Sequence, residues 1–300
     1  MKVKGLKLRG NSDTRTGLIM LSPFLVLFFI FTILPILSSV VLSFTTYDMI
    51  SAPKFAGLSN YIKMFSADDM FPKVLRNTIV LAVITGPIGY ILSFLLAWMI
   101  NELNRGARTI LSFLFYAPAL SANVYLIWQV LFSGDSYGYI NSALLSLGLV
   151  SEPIQWFKDS NYVMIIVIIV QLWMSMGISF LANISGLQNV NPEMYEAGCI
   201  DGIKNRWYEL WYITLPSMKS ILLFGAVMQI QSSFSIGAVV TALAGFPSVN
   251  YSVDTLVTLL MDVGTSRYEM GYAAALSVFL FAMMAITRVV VGKVVDAIGK

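Results

Sequence analysis

The chain contains no histidine and a single cysteine, Cys199, so disulfide frameworks, His-ligated zinc and Ser-His or Cys-His catalysis are excluded. Charge is scarce too, with Asp, Glu, Lys and Arg making up 12% of 300 residues. No Gly-x4-Gly-Lys-Ser/Thr run occurs, which removes a phosphate-cradling loop and any nucleotide site of that kind. Neither a cofactor nor a metal is expected, and the chain is not expected to be an enzyme.

Hydrophobic residues fill the gap, at 57% of the chain with a mean hydropathy of +0.77, so the bilayer is the expected solvent. Six charge-free runs stand out, at 16–47, 77–101, 109–134, 160–192, 220–253 and 270–287. A helix needs roughly 20 apolar residues to cross ~30 Å of hydrocarbon, where it must satisfy its own backbone. The runs therefore predict an all-α integral membrane protein with six transmembrane helices, near 17–45, 77–100, 109–132, 161–186, 217–241 and 269–292. The last run is the shortest and extends past Arg288, whose side chain snorkels toward the headgroups. A seventh stretch, 136–151, has four serines, two glycines and an asparagine in 16 residues, and reads as an external loop with a short interfacial helix.

Assigning the intervening segments alternately to two sides divides the 19 basic residues thirteen to six. One side takes Lys2, Lys4, Lys7, Arg9, Arg15, Arg105, Arg108, Lys204, Arg206, Lys219, Arg288, Lys293 and Lys300. The other takes Lys54, Lys63, Lys73, Arg76, Lys158 and Arg267. The positive-inside rule then places both termini in the cytoplasm. The first run far exceeds a ~7–15 residue signal-peptide core and shows no small-x-small cleavage pattern, so a retained anchor is expected. The net charge of +3 follows from these inward basic residues and is no sign of nucleic-acid binding.

The connection between the fourth and fifth spans, 187–216, is unusually structured. Asn191 is placed to cap a helix, Pro192 suits its first position, and Glu193 and Glu196 put negative charge near the positive end of the macrodipole. Ala197 and Gly198 remove side-chain bulk and allow a close neighbour, and Gly202 suits the turn that ends the helix. A second helical stretch, 205–212, is rich in Trp and Tyr and is expected to lie at the membrane surface ahead of Pro216.

These residues resemble the cytoplasmic loop of the membrane subunits of binding-protein-dependent ABC importers, which reads E-A-A-x3-G, about nine residues, then I-x-L-P. Here it reads Glu196-Ala197-Gly198-x3-Gly202, then ten residues, then Ile213-Thr214-Leu215-Pro216. Phe55-Ala56-Gly57-Leu58-Ser59-Asn60-Tyr61, Leu75-Arg76-Asn77-Thr78, Asp201-Gly202 and Arg206-Trp207 resemble the sugar-permease branch, of the maltose, glycerol-3-phosphate and lactose type and the first permease of the pair. The resemblance implies a type I importer permease fold. It divides the chain into a cytoplasmic segment 1–16, one permease domain 17–292 with a coupling loop 187–216, and a cytoplasmic tail 293–300. It also implies a multi-pass protein of the bacterial plasma membrane. The partners implied are a second homologous permease, two cytoplasmic ATPase subunits that hydrolyse the ATP, and an extracytoplasmic solute-binding protein. Glu196, Ala197, Gly198, Asp201, Gly202, Ile213, Leu215 and Pro216 are, by resemblance, the ATPase-coupling residues.

Polar residues inside spans face neighbouring helices or a watery path. The third run offers Asn123, Tyr125, Trp128 and Gln129, the fourth Gln171, Trp173 and Ser175, and the fifth Gln229, Gln231, Ser232, Ser233 and Ser235. Amides, hydroxyls and aromatic faces suit a neutral polyhydroxylated solute, and the expected cargo is an oligosaccharide. The same machine serving glycerol phosphate, a polyamine or a peptide would favour charged residues along the path. A secondary carrier would need an intramembrane coupling charge, and an intramembrane enzyme a nucleophile paired with a base; the runs contain neither.

Overall fold

The computed structural model describes residues 12–121 and 123–297. Lys2, Lys4, Lys7, Arg9 and Lys300, and most of the expected segment 1–16, lie outside the described residues.

Helix α1 (Arg15–Leu42) is exposed along its length, as a helix facing lipid requires. It opens into a π-helical turn at Phe29–Ile33, just ahead of Pro35, which has no N–H to give a regular turn. A minimal antiparallel hairpin follows, β1 (Thr45–Thr46) with β2 (Lys54–Phe55), in a register that sets Thr45 opposite Phe55. Asn60 of α2 (Ser59–Ser66) fastens it by donating to the Ser43 and Thr45 carbonyls at 2.9 and 2.8 Å.

Helix α3 (Phe71–Asn101) is the axle of the fold. Phe71 and Val74 join Met64, Leu256 and Leu276 in one core patch, Leu81 joins Val163, Val167 and Val240 in a second, and Phe94, Ala97 and Ile100 join Phe180, Leu210, Ile213 and Met218 in a third. The next expected span is divided. Helix α4 (Arg105–Leu120), capped by the Asn104 side chain, ends two residues after Pro118, and α5 (Leu126–Leu131) follows as a separate helix. Helix α6 (Tyr139–Ser146) is the short helix within 136–151.

The two spans that flank the coupling loop are also interrupted. Ser160–Gln188 breaks into α7 (Ser160–Met174) and α8 (Ile178–Gln188); beyond the loop helices α9 (Pro192–Ile200) and α10 (Arg206–Glu209), Lys219–Ala244 breaks into α11 (Lys219–Phe234) and α12 (Ala238–Ala244). The chain then turns at Gly245 and dips back in, because Thr255 Oγ1 donates to the Ile236 carbonyl at 2.8 Å and the Leu256 N–H to Thr78 Oγ1 at 2.9 Å. Thr78 lies about two turns, ~10 Å, inside α3. Helix α13 (Leu256–Ser266) climbs out again to bring Arg267 beside Met70, and α14 (Met270–Asp296) recrosses.

Among the described residues, five helices are long and apolar enough to cross a membrane: α1, α3, Ser160–Gln188, Lys219–Ala244 and α14. The fold is an all-α, multi-pass membrane fold.

Candidate functional site

Polar chemistry gathers in the loop between α8 and α11 and in a cleft at the breaks of the flanking spans, among other places.

In the loop, Asn191 accepts the Glu193 N–H at 3.1 Å, Pro192 opens α9, and the Asp201 N–H closes it on the Ala197 carbonyl at 2.9 Å. Gly202 adopts φ +89°, which any other residue would take at a cost, and Asn205 restarts the chain as the cap of α10 by accepting the Trp207 N–H at 3.0 Å. A π-helical turn, Leu210–Thr214, carries the 205–212 stretch into Leu215–Ser217.

Loop residues divide by face. Glu196, Ala197, Asp201 and Gly202 are exposed, Ile213 is buried, and Leu215 and Pro216 are half-buried. Gly198 is buried, and a Cβ there would stand 2.6 Å from Ile213 Cδ1, so its close neighbour is a side chain of the same loop. Tyr195 and Thr214 join hydroxyls at 2.9 Å across the knob. Arg206 lies between two carboxylates, with Nη2 2.6 Å from Glu102 at the end of α3 and Nη1 2.8 Å from Glu209. Trp98 and Trp207 pack above it with ring centroids 5.3 Å apart, and Lys219 donates to the Asp296 carbonyl of α14 at 2.9 Å. The loop is thus tied to α3, and α11, which follows it, to α14.

The cleft, about 420 Å³, lies between the two breaks, with Ser175, Gly177 and Ser179 on one wall and Gln229, Gln231, Ser232 and Ser235 on the other. Tyr116 and Ala119 of α4 form its rim. Both breaks carry the same pattern, Gln171-x3-Ser175-x-Gly177 and Gln231-x3-Ser235-x-Gly237, and the same local bond, in which the glycine N–H reaches the serine carbonyl at 2.9 Å. Backbone groups freed inside a membrane must find partners. Ser175 Oγ donates to the Leu172 carbonyl at 2.8 Å in the first break, and Thr255 supplies the Ile236 carbonyl in the second. Gln171 stitches the walls together, its Nε2 reaching Ser232 O and Oγ at 3.2 Å.

Of the expected path residues, the cleft gathers Ser175, Gln229, Gln231, Ser232 and Ser235, with Gln171 behind them. Gln229 also donates to the Thr85 carbonyl of α3 at 3.1 Å. Ser233 is turned away, bonded to the Ile230 carbonyl and facing Gly86. Asn123, Tyr125, Trp128, Gln129 and Trp173 stand apart. Tyr125 donates to Asn123 Oδ1 at 3.1 Å, Trp128 packs edge-on against Trp173 at 5.6 Å, and Gln129 donates to the Ala242 carbonyl of α12. Tyr125, Trp128 and Gln129 thus brace α5 against α7 and α12, while Asn123 stays exposed beside Tyr125. Sequence reasoning missed Tyr116 and Ser179; the repeated Gln-x3-Ser-x-Gly is the signal that marks both breaks.

Residues 87–300 match the family described as "Binding-protein-dependent transport system inner membrane component". The lactose transport system permease protein LacF of Rhizobium radiobacter is 30% identical over 213 residues, covering 70% of each chain. The arabinooligosaccharides transport system permease protein AraP of Bacillus subtilis (strain 168) is 29% identical over 90% of this chain and 85% of that one. Among solved structures, a chain of a bacterial alginate ABC transporter in complex with an alginate pentasaccharide-bound periplasmic protein superposes with a TM-score of 0.77 at 22% identity, covering 96% of both chains.

Proposed function

We propose, from the premise that this chain belongs to the binding-protein-dependent transport system inner membrane components, that its cleft passes a neutral oligosaccharide inward through the bacterial inner membrane. The chain is the membrane permease of an ABC importer and leaves ATP hydrolysis to other subunits. The lining of the cleft carries this reading: hydroxyls of serine and tyrosine and amides of glutamine, with no carboxylate, amine or guanidinium among the lining residues. A neutral sugar finds donors and acceptors there, whereas an acidic solute such as alginate calls for cations. LacF and AraP are named for transport of uncharged sugars, which points the same way.

In this reading α4 and α5 together make the sixth crossing, and both termini face the cytoplasm with the 187–216 loop. The permease domain is 17–292 and the tail 293–300. The exposed face of α9, with Glu196, Ala197 and Asp201 ahead of Gly202, seats in a cytoplasmic ATPase subunit, while Gly198, Ile213, Leu215 and Pro216 keep the knob rigid. The cleft opens on a flank of the chain, where a second permease completes its wall, and a binding protein delivers the sugar from outside.

The test is sugar uptake by the assembled transporter in proteoliposomes. Gln231→Ala and Ser232→Ala are expected to lower uptake of lactose or arabinotriose while ATP hydrolysis by the complex persists. Unchanged uptake in the double variant, or uptake driven by a proton gradient without ATP, would show the assignment to be wrong.

A further inference from the structure

Beyond the cleft, on the side toward the 187–216 loop, α8 carries two polar side chains that find no partner. Ser179 is 3% exposed and Asn183 0%, and neither Ser179 Oγ nor either polar atom of the Asn183 amide has a hydrogen-bond partner among the described residues. Helix packing accounts for the other buried polar side chains nearby. Gln171 and Gln229 each reach a backbone carbonyl of a neighbouring span, and Ser175 and Ser233 bond back to the carbonyl three residues earlier. Ser179 and Asn183 do neither, and buried polar groups are costly to leave unpaired.

Their position is continuous with the cleft. Ser179 already forms part of its wall, and Asn183, four residues on, lies on the same face of α8 about 6 Å further along. Across from them α11 presents Gly225. A Cβ there would lie 3.0 Å from Ser179 Oγ, 3.4 Å from Tyr90 Cε2 and 3.7 Å from Asn183 Oδ1. Tyr90 of α3 borders the same seam, with its hydroxyl anchored on the Leu222 carbonyl at 3.0 Å. No hydrogen bond joins α8 to α11 among the described residues; apolar packing around Phe180, Ile184, Leu187 and Leu222 closes the seam, and parting it at Gly225 would break no hydrogen bond between the two helices.

We infer that Ser179 and Asn183 are the next station for the sugar, closed in the conformation seen and opened when α8 and α11 separate. A hydroxyl, an amide that both donates and accepts, and an aromatic ring then face one space. That set pairs with sugar hydroxyls and packs on the C–H face of the ring. The inference rests on the cleft being the solute path.

The experiment uses the assembled transporter in proteoliposomes. Because Cys199 is the only cysteine of the chain, Cys199→Ser gives a thiol-free background for it. Ser232→Cys reports on the cleft, and Asn183→Cys and the nearly isosteric Ser179→Cys report on the seam. Each is probed with a water-soluble methanethiosulfonate reagent, with and without ATP and with lactose or arabinotriose, and labelling is read on this chain by mass.

The seam thiols are expected to be inert at rest and to label on the order of tenfold faster or more during ATP turnover, when the parted state becomes populated. The sugar that protects Ser232→Cys is expected to protect them too. Seam thiols that never label while Ser232→Cys does, or that label without protection by that sugar, overturn the inference. If no sugar protects Ser232→Cys, the cleft is not the path and the inference falls with it.

Discussion

Asp254 is fully buried at the tip of the inward-dipping loop, where its Oδ2 accepts the Ser248 N–H and hydroxyl at 3.0 and 2.7 Å and its Oδ1 has no hydrogen-bond partner among the described residues. Asp254→Asn keeps an acceptor for Ser248 and removes the cost of a buried charge, so it is expected to raise the unfolding midpoint at neutral pH, as followed by thermal unfolding in detergent. A lowered midpoint would mean that the turn needs the carboxylate itself.

Gly198 makes a different point. The sequence shows a small residue in a motif; that its neighbour is Ile213, fifteen positions later in the same loop, follows only from the fold of the knob. Gly198→Ala asks the flexible end of Ile213 to move and should leave transport near normal. Gly198→Phe should cost about 1–3 kcal/mol of packing and reduce copurification of the ATPase subunits. Equal behaviour of the two variants would mean that Gly198 does not pack inward.

At the scale of elements, Arg206 joins α10 to the end of α3 through bonds that are largely exposed, with side-chain accessibilities of 61% for Arg206 and 44% for Glu102. Exposed pairs contribute roughly 0–1 kcal/mol each, so Arg206→Gln is expected to leave the thermal midpoint nearly unchanged. Its effect should fall on coupling, as ATP hydrolysis less tightly matched to sugar uptake. A large drop in stability with normal coupling would assign Arg206 a purely structural part. Thr255 should behave in the opposite way. It is 1% exposed, caps α13 and satisfies the Ile236 carbonyl, so Thr255→Val should destabilise by about 1–3 kcal/mol and Thr255→Ser by much less.

The long helices were legible because charge-free runs of spanning length have few other uses. The breaks were not, since a serine and a glycine within an apolar run look the same whether they pack two helices or end one. The dip at 245–255 was hidden for a related reason: 220–253 is a single charge-free run, so a chain that turns at Gly245 and re-enters shows no change in composition. Of the expected path residues, Gln229, Gln231 and Ser232 were legible as polar groups on one span. Those around Trp128 share their chemistry but gather where α5 meets α7 and α12, away from the cleft lining, which spacing within one helix does not show.

At the scale of the whole molecule, the proposed reading makes the described chain one side of a passage. Core patches among the described residues pack along α3, and α1 is exposed along its length. The isolated protein, purified and reconstituted alone, is therefore expected to hydrolyse no ATP and to move no sugar, with activity returning only when the other subunits are added. Transport by the single chain would require the cleft to be closed by a second copy of itself. The uncharged lining of the cleft has a bioenergetic consequence as well. No carboxylate, amine or guanidinium lines the cleft, so along the proposed path sugar passes among amides and hydroxyls with no side-chain charge to carry an ion beside it, and import would draw on ATP without spending an ion gradient.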